Sequence, residues 1–316
     1  MSTPSPLPPD HADRLERVRL SLDGLSLGDA LGSQFFLPSN GKLLFGPRRQ
    51  TPPPVWPWTD DTAMALSIVE TLTEHGHINQ DDLVRRFAAR YDDDGYRGYG
   101  PGTVVMLARV LEGMPWRESA QAGFDGQGSL GNGAAMRIPP LGAYFADDLD
   151  MVCREAIAAS EVTHCHPEGI AGGVAVAISA AMAWRLRDRL DDPNARAELW
   201  DAVLSYTPEG HVRQGLVAAQ ALASDELPDA AAQLLGNGSH VRADDTVPLV
   251  VWLSVRHLHH FTESIWQTIH AGGDIDTTSA MVGGIVILAN GREAIPPDWL
   301  AAREPLSGFR ATDFFE

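Results

Sequence analysis

The sequence predicts an all-α fold in one compact domain, and three observations carry that expectation. Apolar residues recur mainly at helical spacing. Few segments alternate with period 2, and clusters of β-branched residues are short. Small residues at Ala171, Gly172, Ala175 and Ala177, and again at Gly283 and Gly284, allow helices to approach closely. No fixed-period repeat and no shift of composition marks a second domain within the 316 residues.

Residues 1–10 are rich in Pro and Ser and read as a frayed tail, taken as 1–12, with the single domain over 13–316. Asp10 is placed to cap a helix through LERVRLSL. After WTDD, the run TAMALSIVETLTEHG puts Met64, Ile68, Val69 and Leu72 at helical spacing and ends on Gly76. Asn79, with Asp82 three residues on, opens DDLVRRFAARY. Thr103 opens VVMLARVLEG, which stops at Gly113. Pro167 at a first-turn position opens EGIAGGVAVAISAAMAWRLRD. Helical spacing also covers 147–160, 197–205, 212–222, 247–256 and 260–271. Between them, 32–58, 92–102, 123–140 and 236–246 are loops rich in Gly and Pro, where binding groups concentrate.

The net charge of −18 argues against a general binder of nucleic acid or of an anionic membrane, either of which needs a basic face. It leaves room for a phosphate-bearing ligand, provided metal ions or backbone amides supply the local positive field. Cys153 and Cys165 form neither a disulfide framework nor a metal-ligand spacing. A reducing cytoplasm is therefore expected. The N-terminus shows no apolar leader, and no run approaches the roughly 18 apolar residues of a membrane span.

Two short motifs carry candidate chemistry. WTDDT (58–62) sets Asp60 and Asp61 between Thr59 and Thr62 at a helix start. Thr and Asp are ordinary capping residues, and acids suit the first turn of a helix, so a plain cap explains this motif by itself. GGDIDTT (272–278) repeats the chemistry at a second helix start. If the loop runs strand-like, Asp274 and Asp276 point the same way. Carboxylates and hydroxyls are hard oxygen ligands, suited to Mg²⁺ or Mn²⁺. Should the two loops meet, four carboxylates would repel one another without cations, and four acids suit two divalent ions better than one. The glycine-dense stretches YRGYGPGT (96–103) and GQGSLGNGAAMR (126–137) can expose backbone N–H groups to a diphosphate, although neither is a P-loop. His164, taken alone, reads as a structural histidine.

Taken together, GDALG (28–32), WTDDT, RGYGPGT, GSLGNGAAMR, THCHPEG (163–169) and GGDIDTT resemble the ADP-ribosylglycohydrolase family, in order and spacing from about residue 18 to 292. RGYG with GSxGNGxAMR is nearer the branch acting on serine-linked ADP-ribose, poly(ADP-ribose) and O-acetyl-ADP-ribose. The resemblance implies an orthogonal helical bundle around two Mg²⁺ or Mn²⁺ ions held by Thr59, Asp60, Asp61, Asp274, Asp276 and Thr277. It implies hydrolysis of the glycosidic bond at C1″ of an ADP-ribose conjugate, with Asp60 and Asp61 as ligand and general base. Gly100, Gly102, Gly128, Ser129, Gly131, Asn132 and His164 match the positions that hold diphosphate and ribose. Phe124 matches one of two aromatic residues that sandwich adenine.

Two positions depart from that pattern. Phe36 stands where the serine-directed branch keeps a gating glutamate, and GSQFFLPSN supplies no acid in its place. Leu130 replaces the second aromatic, which makes adenine stacking one-sided and removes roughly 1 kcal/mol. The leading expectation is a metal-dependent monomeric hydrolase of ADP-ribosylated protein or related conjugates. The alternatives are a silent ADP-ribose reader, motivated by Phe36, and a hydrolase of another N-glycoside, motivated by Leu130.

Overall fold

A computed structural model describes residues 6–41, 49–223 and 225–306, so the start of the expected tail and part of the 32–58 loop lie outside the described residues. Helices and irregular segments make up the described residues, with no strand among them. The all-α expectation holds.

Helix α1 (His11–Ser33) opens after Asp10, whose carboxylate pairs with Arg14 at 2.9 Å and makes no capping bond. His11 already belongs to α1 and its Nδ1 lies 2.6 Å from the Tyr144 hydroxyl, so the tail stops short of residue 12. The helix also runs through GDALG. Gly24, Gly28 and Gly32 recur every four residues, which places them on one helical face.

Helix α2 (Asp60–His75) ends on Gly76 in the left-handed region at φ 68°. In α3 (Gln80–Asp94) the Asn79 side chain accepts the Asp82 N–H, as its sequence spacing predicts. Helix α4 (Pro101–Leu111) begins ahead of Thr103, because Pro101 occupies its first turn. Short helices α5 (Trp116–Gln121), α6 (Gly133–Met136) and α7 (Pro139–Tyr144) follow, and α6 lies inside the expected 123–140 loop. Asp148 caps α8 (Leu149–Glu161), and Asp147 pairs with the buried Arg17. Helix α9 (Pro167–Leu186) is followed by α10 (Ala195–Tyr206), α11 (His211–Gln220) and α12 (Pro228–Leu235). The remaining helices are α13 (Ala243–Arg256), α14 (Phe261–Ala271), α15 (Ile275–Asn290) and α16 (Pro297–Ala302).

By length and composition, Pro167–Arg189 is apolar enough to cross a bilayer, contrary to the expectation that no run reaches that length. Its apolar stretch is 83% buried inside the protein, so α9 serves as a core helix on which α7, α8, α13 and α15 pack.

Helices α1 and α15 run antiparallel at unusually short range. A Cβ on Gly24 would stand 2.4 Å from the Gly283 carbonyl oxygen, and one on Gly32 would stand 2.8 Å from that of Ile275. Only glycine allows this approach, which carries the C-terminal end of α1 to the N-terminus of α15. The segment before α2 is fixed separately. The Trp56 N–H donates to the Ala302 carbonyl at 2.7 Å, and the Glu304 N–H donates to the Trp56 carbonyl at 2.9 Å. Buried Trp58 lies 3.8 Å beneath the Arg97 guanidinium, which pairs with Glu304 at 2.9 and 3.0 Å.

Candidate metal centre and ligand cleft

The N-termini of α2 and α15 meet beside α1. Carboxylate oxygens of Asp29, Asp61 and Asp276 all lie within 4.8 Å of one another. The two predicted acidic motifs therefore do converge, and α1 contributes a further acid that the sequence reading did not place.

Asp29 organises the first motif. Thr59 is the N-cap of α2, yet its side chain makes no capping bond. Asp29 replaces it: Oδ2 accepts the backbone N–H groups of Thr59 at 2.9 Å and Thr62 at 3.2 Å, and the Thr62 hydroxyl at 2.5 Å. The Thr59 hydroxyl is thereby released to point at carboxylates, 2.8 Å from Asp29 Oδ1 and 3.0 Å from Asp61 Oδ2. A plain cap thus explains neither the Thr59 hydroxyl nor Asp61.

The second motif opens a helix, as its sequence predicts, so the strand-like alignment of its two acids does not arise. Asp274 is the N-cap of α15 and Asp276 lies in its first turn. Gly273, at φ 80°, packs so tightly on the Asn237 carbonyl oxygen that a Cβ would come within 2.2 Å of it. Asp274 Oδ2 accepts the Asn132 side-chain N–H at 2.7 Å. Asn132, matched to the substrate loop, thus spends its amide on Asp274 and, at 3.2 Å, on Thr246. Buried Thr277 gives its N–H to Asp276 Oδ1 at 2.8 Å.

Burial raises every one of these acids above the ordinary carboxyl value, and repulsion within the cluster adds to it for Asp60, Asp61 and Asp276. Burial moves Asp29 to about 6, against the opposing pull of the Thr62 and Thr59 hydrogen bonds. Burial, then the charge of Asp29, moves Asp60 to about 7. Asp276 rises to about 8 through burial and the charges of Asp274 and Asp29. Asp61 is held well above the usual range by burial, Asp29 and Asp276, and burial raises Asp274 as well. Moreover, Asp61 Oδ1 is buried with no hydrogen-bond partner among the described residues. A buried lone carboxylate oxygen facing two further acids fits a hard divalent cation, which would satisfy the oxygen and remove the repulsion.

The cleft is an open cavity of ≈ 550 Å³ lined by Gly102, Met106, Phe124, Ser129, Thr163 and His164 among others. Phe124 sits at φ 53°, a left-handed conformation unusual for a bulky residue, and is 60% exposed. Such an outlier, held at a cavity wall, is where a ligand-stacking residue is expected. Gly128 is also left-handed, at φ 76°, and a Cβ there would meet Cys165 Sγ at 2.3 Å. Gly131 gives its N–H to Ser129 Oγ at 3.2 Å. Gly100 is the N-cap of α4. Leu130 takes part through its carbonyl, which accepts the Ala243 N–H at 3.0 Å. Neither Gly100, Gly128, Leu130, Gly131 nor Asn132 lines the cavity itself, so the structure divides the predicted set between wall and scaffold.

Phe36 ends a 3-10 turn, Gln34–Phe36, and is 50% exposed, whereas Phe35 packs edge-on against Trp266 at 5.9 Å. Arg137 is a second residue that the sequence reading left without a role. It is fully buried behind the site, and burial brings it down to about 9. Asp29 and Arg137 share a signal in the sequence: a charged residue inside an otherwise small and apolar stretch is costly unless something nearby uses it.

The family model for ADP-ribosylglycohydrolase matches residues 10–313. The chain belongs to the ADP-ribosylglycohydrolase family. Membership makes it a hydrolase of ADP-ribose conjugates. It is similar to the ADP-ribosylhydrolase ARH3 of Gallus gallus, 28% identical over 90% of this chain and 88% of the relative. The Homo sapiens ADP-ribosylhydrolase ARH3 is 27% identical over 96% of this chain and 92% of its own length. Escherichia coli YegU, an uncharacterized protein, is 26% identical over 95% of both chains. A solved ADP-ribosylglycohydrolase-related protein complex shares the fold, with a TM-score of 0.64 over 93% of this chain, 94% of that one and 24% identity.

Proposed function

We propose that the chain is a divalent-cation-dependent hydrolase that releases ADP-ribose by cleaving the bond at C1″ of protein-linked, ester-linked or polymeric conjugates. The observation that carries the metal dependence is the convergence of Asp29, Asp61 and Asp276 with Asp61 Oδ1 unpartnered. Thr59, Asp60, Asp61, Asp274, Asp276 and Thr277 would hold two ions, Mg²⁺ or Mn²⁺. When bound, the ions supply positive charge beside the distal ribose hydroxyls.

The protein's own groups do the rest. Phe124 covers one face of the adenine, and Ser129 with the backbone of the cavity-lining Gly102 holds the diphosphate. Asp60 or Asp61 accepts a proton from the attacking water. The water oxygen bonds to C1″ as the C1″–O or C1″–N bond breaks through an oxocarbenium-like state, and the departing group takes up a proton. Asp29 keeps the two aspartates aimed by holding the start of α2.

The test is a panel of 1″-substituted ADP-ribose compounds, with and without EDTA. Metal-dependent release of ADP-ribose that disappears in Asp60→Asn is the expected result. No release from any conjugate, together with Asp60→Asn matching the parent, would overturn the proposal. The exposed Phe36 favours one competing reading, an ADP-ribose reader that binds tightly by calorimetry without turnover.

A further inference from the structure

Arg137 is a buried cation with no carboxylate at salt-bridge distance among the described residues, the charge of Asp60 acting on it from further off. Its Nη2 donates to the Ala159 carbonyl at 3.0 Å and to Thr163 Oγ1 at 2.7 Å, and its guanidinium lies 4.5 Å over the Phe87 ring. A buried charge without a directly hydrogen-bonded counter-ion is costly, so its retention needs a reason beyond packing. Thr163 Oγ1 in turn lies 2.7 Å from His164 Nδ1.

The direction of this chain follows from a count of protons. Guanidinium donates only, so Thr163 Oγ1 accepts from Arg137. The hydroxyl then has one proton left, and His164 Nδ1 is the acceptor within reach. Were Nδ1 to donate instead, that buried hydroxyl proton would have no partner. Nδ1 is therefore unprotonated, and the ring proton of the neutral imidazole is on Nε2. The imidazole stays neutral, because burial and then the charge of Arg137 lower it to about 3.

The glycine loop lies over the Nε2 edge. A Cβ on Gly133 would come within 2.9 Å of Nε2, and one on Gly131 would stand 3.3 Å from Nε2 and 3.1 Å from Ser129 Oγ. His164 and Ser129 both line the cavity. We propose that Arg137 and Thr163 form a positioning relay that fixes His164 as the Nε2–H tautomer and presents one donor to an acceptor oxygen of the bound ligand. The positive charge of Arg137 polarises the Thr163 hydroxyl and strengthens its bond to Nδ1. That the ligand is an ADP-ribose conjugate rests on the reading above, whereas the tautomer does not.

The experiment has two arms. Long-range proton–nitrogen NMR on ligand-free protein labelled at histidine nitrogens reads the tautomer directly. The parent should show an unprotonated Nδ1 and a protonated Nε2. Thr163→Val should abolish that pattern, and Thr163→Ser should restore it. Calorimetry with ADP-ribose should show about tenfold weaker binding for Thr163→Val, recovery for Thr163→Ser, and little further loss when His164→Ala is added to Thr163→Val. A protonated Nδ1 in the parent, or a Thr163→Val protein with unchanged tautomer, overturns the relay. If the tautomer behaves as expected but ADP-ribose fails to bind the parent, the ligand assignment falls and the relay stands.

Discussion

A Cβ atom on Gly28 would stand 2.0 Å from the carbonyl oxygen of Ser279, closer than any real side chain comes to a backbone. The next residue, Asp29, reaches Asp276 only because α1 and α15 touch there. Gly28→Ala must therefore push the helices apart. The expected loss is about 2 kcal/mol or more of stability, with a matching fall in manganese affinity. Thermal unfolding with and without Mn²⁺ measures both, and an unchanged Tm would show that the interface is not close-packed in solution.

Asp29 and Asp61 should respond differently to the same substitution. Asp29→Asn places an N–H₂ among donors from Thr59 and Thr62, so the start of α2 loses its cap even without metal. A loss of about 1–3 kcal/mol is expected in ion-free protein. Asp61→Asn removes one of several mutually repelling acids, so ion-free stability should be retained or rise while Mn²⁺ binding weakens by tenfold or more in calorimetry.

The raised acids fix the direction of a pH effect. Their folded values of about 6, 7 and 8 for Asp29, Asp60 and Asp276 lie above the ordinary 3.8. The folded state thus holds protons more tightly than the unfolded chain. The stabilisation is complete below that ordinary value and is lost as pH rises through the folded ones. Ion-free protein should therefore lose Tm as pH rises from about 5 to 8, and added Mn²⁺ should restore most at the upper end. An ion-free Tm that climbs across this window would show that the acids are already ionised.

Phe36 is half-exposed, so Phe36→Glu should alter stability by less than about 0.5 kcal/mol. If an acid at this position assists turnover, the variant should raise kcat on serine-linked ADP-ribose by about tenfold with little change in KM. Equal kcat values would remove position 36 from any account of rate.

Phe124→Ala tests the adenine wall. Loss of stacking worth about 1 kcal/mol corresponds to roughly fivefold weaker ADP-ribose binding. Affinity for ribose 5-phosphate, which lacks the base, should stay unchanged.

The sequence foretold the helical class, the two acidic motifs and most long helices, because each rests on local spacing or on residue chemistry. Three things escaped it. The course of α1 through GDALG is not placed by the sequence, because the two glycines that suit its close contact with α15 lower helix propensity locally. GGDIDTT is legible as a helix start, but the strand-like condition for aligning its two acids does not hold, because Asp274 is the cap and Asp276 already lies in the first turn. Asp29 went unplaced because its partners, Thr59 and Thr62, are some 30 residues away and visible only in space. Asn132 shows the converse limit. A motif match assigns it to ligand, while its amide is committed to Asp274.

The acid cluster draws its members from residues 29, 61 and 276, on the first, second and next-to-last helices of the described chain. No contiguous half of the polypeptide contains it. Binding of the proposed divalent ions would accordingly report completed folding, because a chain whose α15 has not docked on α1 holds these acids apart.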